Sequence, residues 1–241
     1  MDTSTYVALS GQLALDRRLV TLANNVANAG TAGYRAESVH FESLLSTMSP
    51  LPTAFASEGA SHVSTAHGGL SRTDGTLDVA IQGEGFIGIQ TPRGVAYTRD
   101  GRMQMLPGGE LVSLNGHAVL DAGGAPLLLD PNGSPPAIAR DGMITQDDRQ
   151  LGAIGLFSID LSRPYQRFEN AAFMPSAAAQ PILSFDGDGV VQGFVEASNV
   201  NPVLQMAELI QVTRAFEGLA SALDETQSSQ KAALQVLAGR G

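Results

Sequence analysis

The stretch Asn201–Gly239, NPVLQMAELIQVTRAFEGLASALDETQSSQKAALQVLAG, decides the architecture. Asparagine followed by proline is a helix start: the Asn side chain caps an orphan amide, and proline at the first helical position loses no hydrogen bond. Leu209, Val212, Phe216, Leu219, Leu223, Thr226, Gln230, Ala233 and Leu237 then recur in alternating steps of three and four. That is a heptad seam sustained over about 54 Å and stopped by Gly239. One seam is thin support for so long a helix, given the backbone entropy lost on ordering it. Further faces, carrying Met206, Ile210 and Ala220, are therefore expected to pack on other helices.

The other end of the chain has the same character. From Thr5 to about Asn28 one helical stripe runs through Leu15, Leu19, Leu22 and Val26, and a second through Leu9, Leu13, Val20 and Ala27. Two apolar faces imply more than one neighbour. Asn28, Gly30 and Gly33 then supply the stop.

Between the helices the pattern changes twice. Ser46 to Gly69 is rich in Ser, Ala, Thr, Pro and Gly, with Pro50 and Pro52 barring a regular helix, and reads as an extended connector. From Leu70 to about Phe194 the period is two: Leu77, Val79 and Ile81 alternate, as do Val95 and Tyr97, then Met103 and Met105. Asp100-Gly101, Gly108-Gly109, Asn115-Gly116, Gly123-Gly124, Asp141-Gly142 and Asp188-Gly189 are read as turn pairs. The expectation is an α+β chain: an N-terminal helix over 1–33, a connector over 34–69, a mainly antiparallel β domain over 70–197 and a C-terminal helix over 198–241. The two helices would pair as an assembly domain, with Leu15, Leu19, Leu22, Val26, Leu209, Val212, Phe216, Leu219 and Leu223 as its interface.

Composition excludes several functions. The 241 residues carry 14 Lys plus Arg against 24 Asp plus Glu, a formal charge of -10, the wrong sign for a phosphate-binding surface, so nucleic acid is not an expected partner. Lys231 is the sole lysine, and no apolar run is long enough to span a bilayer, so membrane insertion is not expected either. Cysteine is absent, which removes disulfides, thiolate metal sites and a thiol nucleophile. The segment Met1–Tyr6 carries Asp2 and no positive charge, so a cleaved Sec-type signal is not expected.

Apparent chemical motifs fail on their own terms. Gly83, Gly85 and Gly88 have dinucleotide-loop spacing, but strand-like FIGIQTP follows where a helix N-terminus is required. Asp186 and Asp188 open like a calcium loop, but Val191 and Ala197 stand where Gly and Glu belong, so a hairpin turn is the better reading. His40, His62, His67 and His117 share no helical ligand spacing. No catalytic residue, cofactor or metal site is expected.

The segment TLANNVANAGTAGYR, Thr21–Arg35, resembles the signature of flagellar rod and hook proteins, and TDGTLDVAIQGEGFIGIQTPRGVAYTRDGRMQM resembles that family's β region. Gln192–Gly218, QGFVEASNVNPVLQMAELIQVTRAFEG, resembles its C-terminal segment. Gly88, where a bulkier residue is usual, and Tyr34, where Phe is commoner, are modest departures. The resemblance implies a proximal-rod subunit in the periplasmic basal body that partners itself and other rod proteins, passes through the flagellar type III export apparatus, and lines a channel while transmitting torque. A distal-rod or hook subunit is the alternative within the family, and a secreted β-rich hydrolase or carbohydrate-binding protein the one outside it. On the signature fall Asn24, Asn25, Asn28, Thr31, Gly33 and Tyr34, and on the junction into the last helix Ser198, Asn199, Asn201 and Pro202.

Overall fold

The computed structural model describes residues 3–46, 53–57 and 59–238. Two long helices, α1 (Thr3–Ala27) and α2 (Pro202–Ala238), bracket an antiparallel β region, so the α+β expectation holds. Asn201 Oδ1 accepts from Leu204 N at 3.2 Å, which is the cap that the Asn-Pro pair announces. Gly239, Pro50 and Pro52 lie outside the described residues, as do the side chains of Gln230, Ala233 and Leu237.

The chain divides into two compact units, the first made of residues 1–27, 37–63 and 201–241. Within it α1 and α2 run antiparallel: Asn25 Nδ2 donates to Gln205 Oε1 at 2.8 Å, and a Cβ on Gly11 would sit 3.4 Å from Leu219. The segment read as a connector is more regular than its composition suggests. Strand β1 (Glu37–His40) pairs with β4 (Ala60–Val63), and β2 (Ser43–Ser46) with β3 (Thr53–Ala56). These strands are four residues long and poor in β-branched and aromatic side chains, which is why periodicity missed them.

The second unit holds residues 28–36 and 64–200. In chain order its strands are β5 (Leu70–Arg72), β6 (Val79–Gln82), β7 (Phe86–Thr91), β8 (Gly94–Thr98), β9 (Met103–Met105), β10 (Leu111–Ser113), β11 (Ala118–Val119), β12 (Ala137–Ile138), β13 (Met143–Gln146) and β14 (Arg149–Ala153). There follow β15 (Leu156–Ser158), β16 (Tyr165–Phe168), β17 (Ala172–Pro175), β18 (Gln180–Pro181), β19 (Gly189–Gln192) and β20 (Phe194–Glu196). Among the described residues, nine strands form one sheet in the order β16-β17-β8-β7-β11-β10-β9, with β15 beside β7 and β18 beside β15. Val79, Ile87, Leu111, Ile144 and Leu156 are almost wholly enclosed in the core beneath it. The structural division cuts the chain after residues 27, 36, 63 and 200.

Alternation identifies strands better than it identifies their inner face. In β8 it is Ala96 that is fully buried, opposite Ile89 of β7, while Val95 is exposed and Tyr97 meets the Phe157 ring edge-on at 5.3 Å. Gly88 lies on that same side, where a Cβ would come within 2.8 Å of the Phe157 ring. The unusual glycine is the space that Phe157 fills.

Four of the six turn pairs make tight turns: Gly109, Gly116, Gly124 and Gly142 all have positive φ, and each of their amides closes a turn. Asp100-Gly101 and Asp188-Gly189 do not. Asp100-Gly101 leads from β8 to β9, with Gly101 O accepting from Val79 N at 3.0 Å. Asp188 Oδ1 accepts from Glu84 N at 2.7 Å before the chain enters β19, so the hairpin reading of Asp186 and Asp188 is corrected. Conversely, the turn between β13 and β14 uses Asp147 (φ 48°) and Asp148 (φ 63°), a left-handed pair with no glycine. Asp148→Gly removes a left-handed cost of ~1 kcal/mol and is expected to raise the urea midpoint. An unchanged or lower midpoint would contradict this account of the turn.

Candidate functional site

Two arrangements bring the singled-out residues together, one in each unit. In the helical unit, Leu22 and Val212 are buried, while Leu15, Leu19, Val26, Leu209, Phe216, Leu219 and Leu223 are half-buried. These are the inward stripes, and the chain's own helix pair and short strands cover them. An open groove of about 190 Å3 lies among Thr5, Ala8, Leu219, Ala222, Leu223 and Thr226. The other stripes face out. Tyr6, Leu9, Leu13 and Val20 of α1, and Val203, Leu204, Met206 and Ile210 of α2, keep between 47% and 76% of their surface exposed. Isolated exposed apolar residues need no explanation, but rows at helical spacing on both helices do.

The signature asparagine Asn25 is buried between these elements. Its Oδ1 accepts from Glu37 N at 3.0 Å and its Nδ2 donates to Glu37 O at 2.8 Å, so one side chain meets both backbone groups of the first β1 residue while also reaching Gln205 of α2. Asn24, one residue earlier, is exposed on α1, and Pro202 is exposed at the start of α2.

In the β unit the remaining signature residues build a polar clamp. Thr31 N donates to Asn28 O at 3.0 Å and Thr31 Oγ1 to Asn28 Oδ1 at 3.1 Å, turning the chain just beyond the helix. Gly33 follows at φ 68°, where an added Cβ would lie 2.3 Å from Asp100 N and 2.4 Å from the Arg99 carbonyl carbon. Gly33→Ala is expected to cost at least ~2 kcal/mol. A urea titration showing less than ~0.5 kcal/mol would mean that the two segments separate freely. Gly33 N donates to Glu196 O at 2.8 Å and Asn199 N to Tyr34 O at 3.3 Å, so residues 28–36 lie along residues 195–200. Asn199 bridges further, its Oδ1 accepting from Ala36 N at 2.7 Å and its Nδ2 donating to Ala66 O at 2.7 Å. Ser198 Oγ accepts from Val200 N at 3.2 Å.

At the centre sit three buried charges that the sequence reading did not single out: Arg35, Arg99 and Glu196. Arg99 Nε donates to Glu196 Oε2 at 2.6 Å, and Arg35 Nη2 lies 3.1 Å from Glu196 Oε1. Two cations against one anion leave an excess positive charge, and carbonyl oxygens take it up. Arg99 donates to Gly83 O (2.9 Å), Gly85 O (2.7 Å) and Ile81 O (3.1 Å), and Arg35 to Thr65 O (3.0 Å) and Ala66 O. His67 Nδ1 accepts from both guanidinium groups, at 3.1 and 3.3 Å. Burial, then the neighbouring Arg99 charge, lowers the Arg35 pKa, against the opposing pull of Glu196 and Glu84. Beside this centre the Arg167 guanidinium lies 4.8 Å from the Tyr34 ring and 4.9 Å from the Phe173 ring, and its Nη2 donates to Arg35 O at 2.8 Å.

The glycine motif now has a chemical meaning. Gly83 and Gly85 present carbonyl oxygens to a cation, and the intervening Glu84 amide is taken by Asp188. A phosphate loop presents amides to an anion, the opposite polarity. The histidines are likewise spoken for locally: His40 and His62 meet edge to face at 5.2 Å, and His117 Nε2 lies 2.9 Å from Glu169 Oε1.

Comparison with known proteins decides between these surfaces and chemistry. Residues 6–35 match the family described as "Flagella basal body rod protein", residues 80–146 "Flagellar hook protein FlgE/F/G D1 domain", and residues 191–236 "Flagellar basal body rod FlgEFG protein C-terminal". The flagellar basal-body rod protein FlgF of Mesorhizobium japonicum is 47% identical over 240 residues, covering 100% of both chains. The chain belongs to the flagellar basal-body rod protein family. FlgF of Rhizobium meliloti is 42% identical over 99% of each chain, whereas the rod protein FlgG of Bacillus subtilis is 30% identical over 90% of this chain and 92% of its own. The rod protein is therefore FlgF-like, a structural subunit and not an enzyme. Of its described helices, none is long and apolar enough to cross a membrane.

The clamp charges of this rod protein had a faint sequence signal. Glu196 interrupts the apolar run FVEA, and Arg99 closes the strand VAYT. A lone charge in a strand otherwise buried requires a partner, but nothing in one sequence says that the partners lie in Arg35 and His67.

Proposed function

We propose that this rod subunit polymerises through its terminal helices, that it occupies the proximal part of the rod, and that the assembled helices transmit torque around an export channel. The observation that carries this reading is the double striping of α1 and α2: one stripe on each is covered within the chain, and the other stays open. The inward residues Leu15 to Val26 and Leu209 to Leu223 hold the pair together, and the outward residues meet sister molecules and other rod proteins. The β unit, closed by its own clamp, keeps its fold while the helices assemble. Passage through the flagellar type III apparatus and a final position in the periplasm accord with the cysteine-free sequence. Electron cryo-microscopy of basal bodies tests the reading directly. Cells lacking the chain are expected to be non-motile, with rods that end short of full length, and restoring the chain restores both. Full-length rods in such cells would refute it.

A further inference from the structure

Within the β unit, the tips of the β10–β11 and β16–β17 hairpins and the turn after α1 enclose an open cleft of about 700 Å3. Its lining includes Thr31, Asp100, Arg102, Ser113, Glu169 and Asn170. That volume suits a ligand or a short segment of chain. Three of these residues are charged, and two of the charges cancel: Arg102 Nε donates to Asp100 Oδ1 at 2.8 Å and its Nη2 to Asp100 Oδ2 at 2.7 Å. Glu169 has no such partner. Asn115 Nδ2 donates to its Oε2, and His117 Nε2 lies 2.9 Å from its Oε1. Among the described residues, no lysine or arginine lies within ion-pair distance of it.

The carboxylate is nonetheless held in place. Glu169 turns the chain from β16 to β17 at φ 52°, a left-handed conformation that glycine or asparagine adopts with less strain, and two side chains of the neighbouring hairpin tip fix its oxygens. Each carboxylate oxygen has room for two donors. One is taken on each, which leaves a pair of adjacent acceptor sites of the spacing that a guanidinium fork fits. Leu114, exposed on the same wall, offers apolar surface to the stem of a long basic side chain.

We propose that this cleft docks an extended, arginine-bearing segment of another protein. The guanidinium sits on Glu169, and the backbone of the segment runs along the polar groups of Thr31, Ser113 and Asn170. A sister copy is the poorer occupant, because a chain with a formal charge of -10 repels its own kind and draws in a basic partner. The cleft belongs wholly to the β unit, so its occupancy does not depend on how the helices assemble.

The isotope-labelled full-length chain is titrated with acetyl-Gly-Arg-Gly-amide and, separately, with acetyl-Gly-Gln-Gly-amide, and the backbone amide resonances are followed. Saturable shifts from the arginine peptide at residues 113–117 and 169–171 are expected, weakening as salt is added, with none from the glutamine peptide. Glu169→Gln should bind the arginine peptide about tenfold more weakly at an unchanged melting temperature. Glu169→Gly relaxes the left-handed turn, so it should lose the peptide while melting no lower than the native chain. Two peptides that bind alike, shifts outside the cleft, or no binding by the native chain would overturn the proposal. Native-like binding by both variants would do the same, and if they also melted lower, the carboxylate would be only a tie between two hairpin tips. Shifts at the cleft residues on concentrating the chain without peptide would assign the cleft to a sister copy and overturn the choice of occupant.

Discussion

Glu196→Ala is expected to unfold the β unit at far lower temperature than the native chain, by more than any other single truncation there. Glu196 is 2% exposed, and its carboxylate binds both Arg35 and Arg99, themselves 3% and 1% exposed. Removing one partner of a buried ion pair typically costs ~3–5 kcal/mol, because the remaining charge stays buried without a counterion. Two guanidinium groups are stranded here, not one. Gly68 N, which donates to Glu196 Oε1 at 2.9 Å, is orphaned with them. In a unit of this size the loss corresponds to a fall in melting temperature of about 6–20 °C. Glu196→Gln keeps one acceptor oxygen but loses the charge and replaces the other oxygen by an NH2 that cannot accept from Arg35, Arg99 or Gly68 N, so it should fall between the native chain and the alanine variant. Circular dichroism melts of the three proteins provide the check, and an alanine variant melting within 2 °C of the native chain would mean that the clamp contributes nothing.

That result bears on how the unit is built. Arg35 comes from the segment after α1, Arg99 from the end of β8, and Glu196 from β20, so a single carboxylate closes the β unit across its full sequence length. A fragment running from Leu70 to Phe194 omits Arg35, His67 and Glu196 and leaves Arg99 buried with no anion. Such a fragment is a poor surrogate for the unit, whose natural limits include residues 28–36 and 64–69.

The two helices were legible because their signals are local. A cap at Asn201, a proline at the next position and a run of apolar residues at steps of three and four are properties of adjacent residues, and the chain obeys them. The clamp was not legible for the converse reason. Arg35 and Glu196 are 161 positions apart, and nothing in either neighbourhood names the other. Signature residues such as Gly33 and Asn199 were found by resemblance, yet their physical roles lie in contacts with Asp100 N and Ala66 O that only the fold brings near. Strands were located by period, but period alone does not say which face turns inward at β8, where a fully buried alanine sits beside an exposed valine. The turn at Asp147-Asp148 escaped because aspartate reaches left-handed φ less often than glycine and so raises no flag.

Leu13→Asp and Val212→Asp should fail in opposite ways, and the contrast separates fold from assembly. Leu13 is 61% exposed and Val212 5% exposed, on the outward and inward sides of the helical unit. A carboxylate at position 13 of the single chain stays in water, so its melting temperature should match the native protein within ~0.5 kcal/mol of stability. On the proposed assembly, the rod encloses the same carboxylate against apolar side chains without a partner, at a cost of several kcal/mol repeated in every copy. Loss of swimming with an unchanged melt is the expected phenotype. Val212→Asp buries its charge within the chain itself, so loss of helical signal in the isolated protein should precede any question of assembly. Phe216→Asp, also on the inward stripe, should resemble Val212→Asp in the helical signal while the β unit still melts cooperatively. Were Leu13→Asp cells to swim normally, the outward stripe would be simple exposed surface. Were Val212→Asp to melt like the native protein, the helix pair would not be held by its inward seam. Only the combination of an intact fold with a failed rod in the first variant, and a failed fold in the second, is compatible with helices that use one face for themselves and the other for their neighbours.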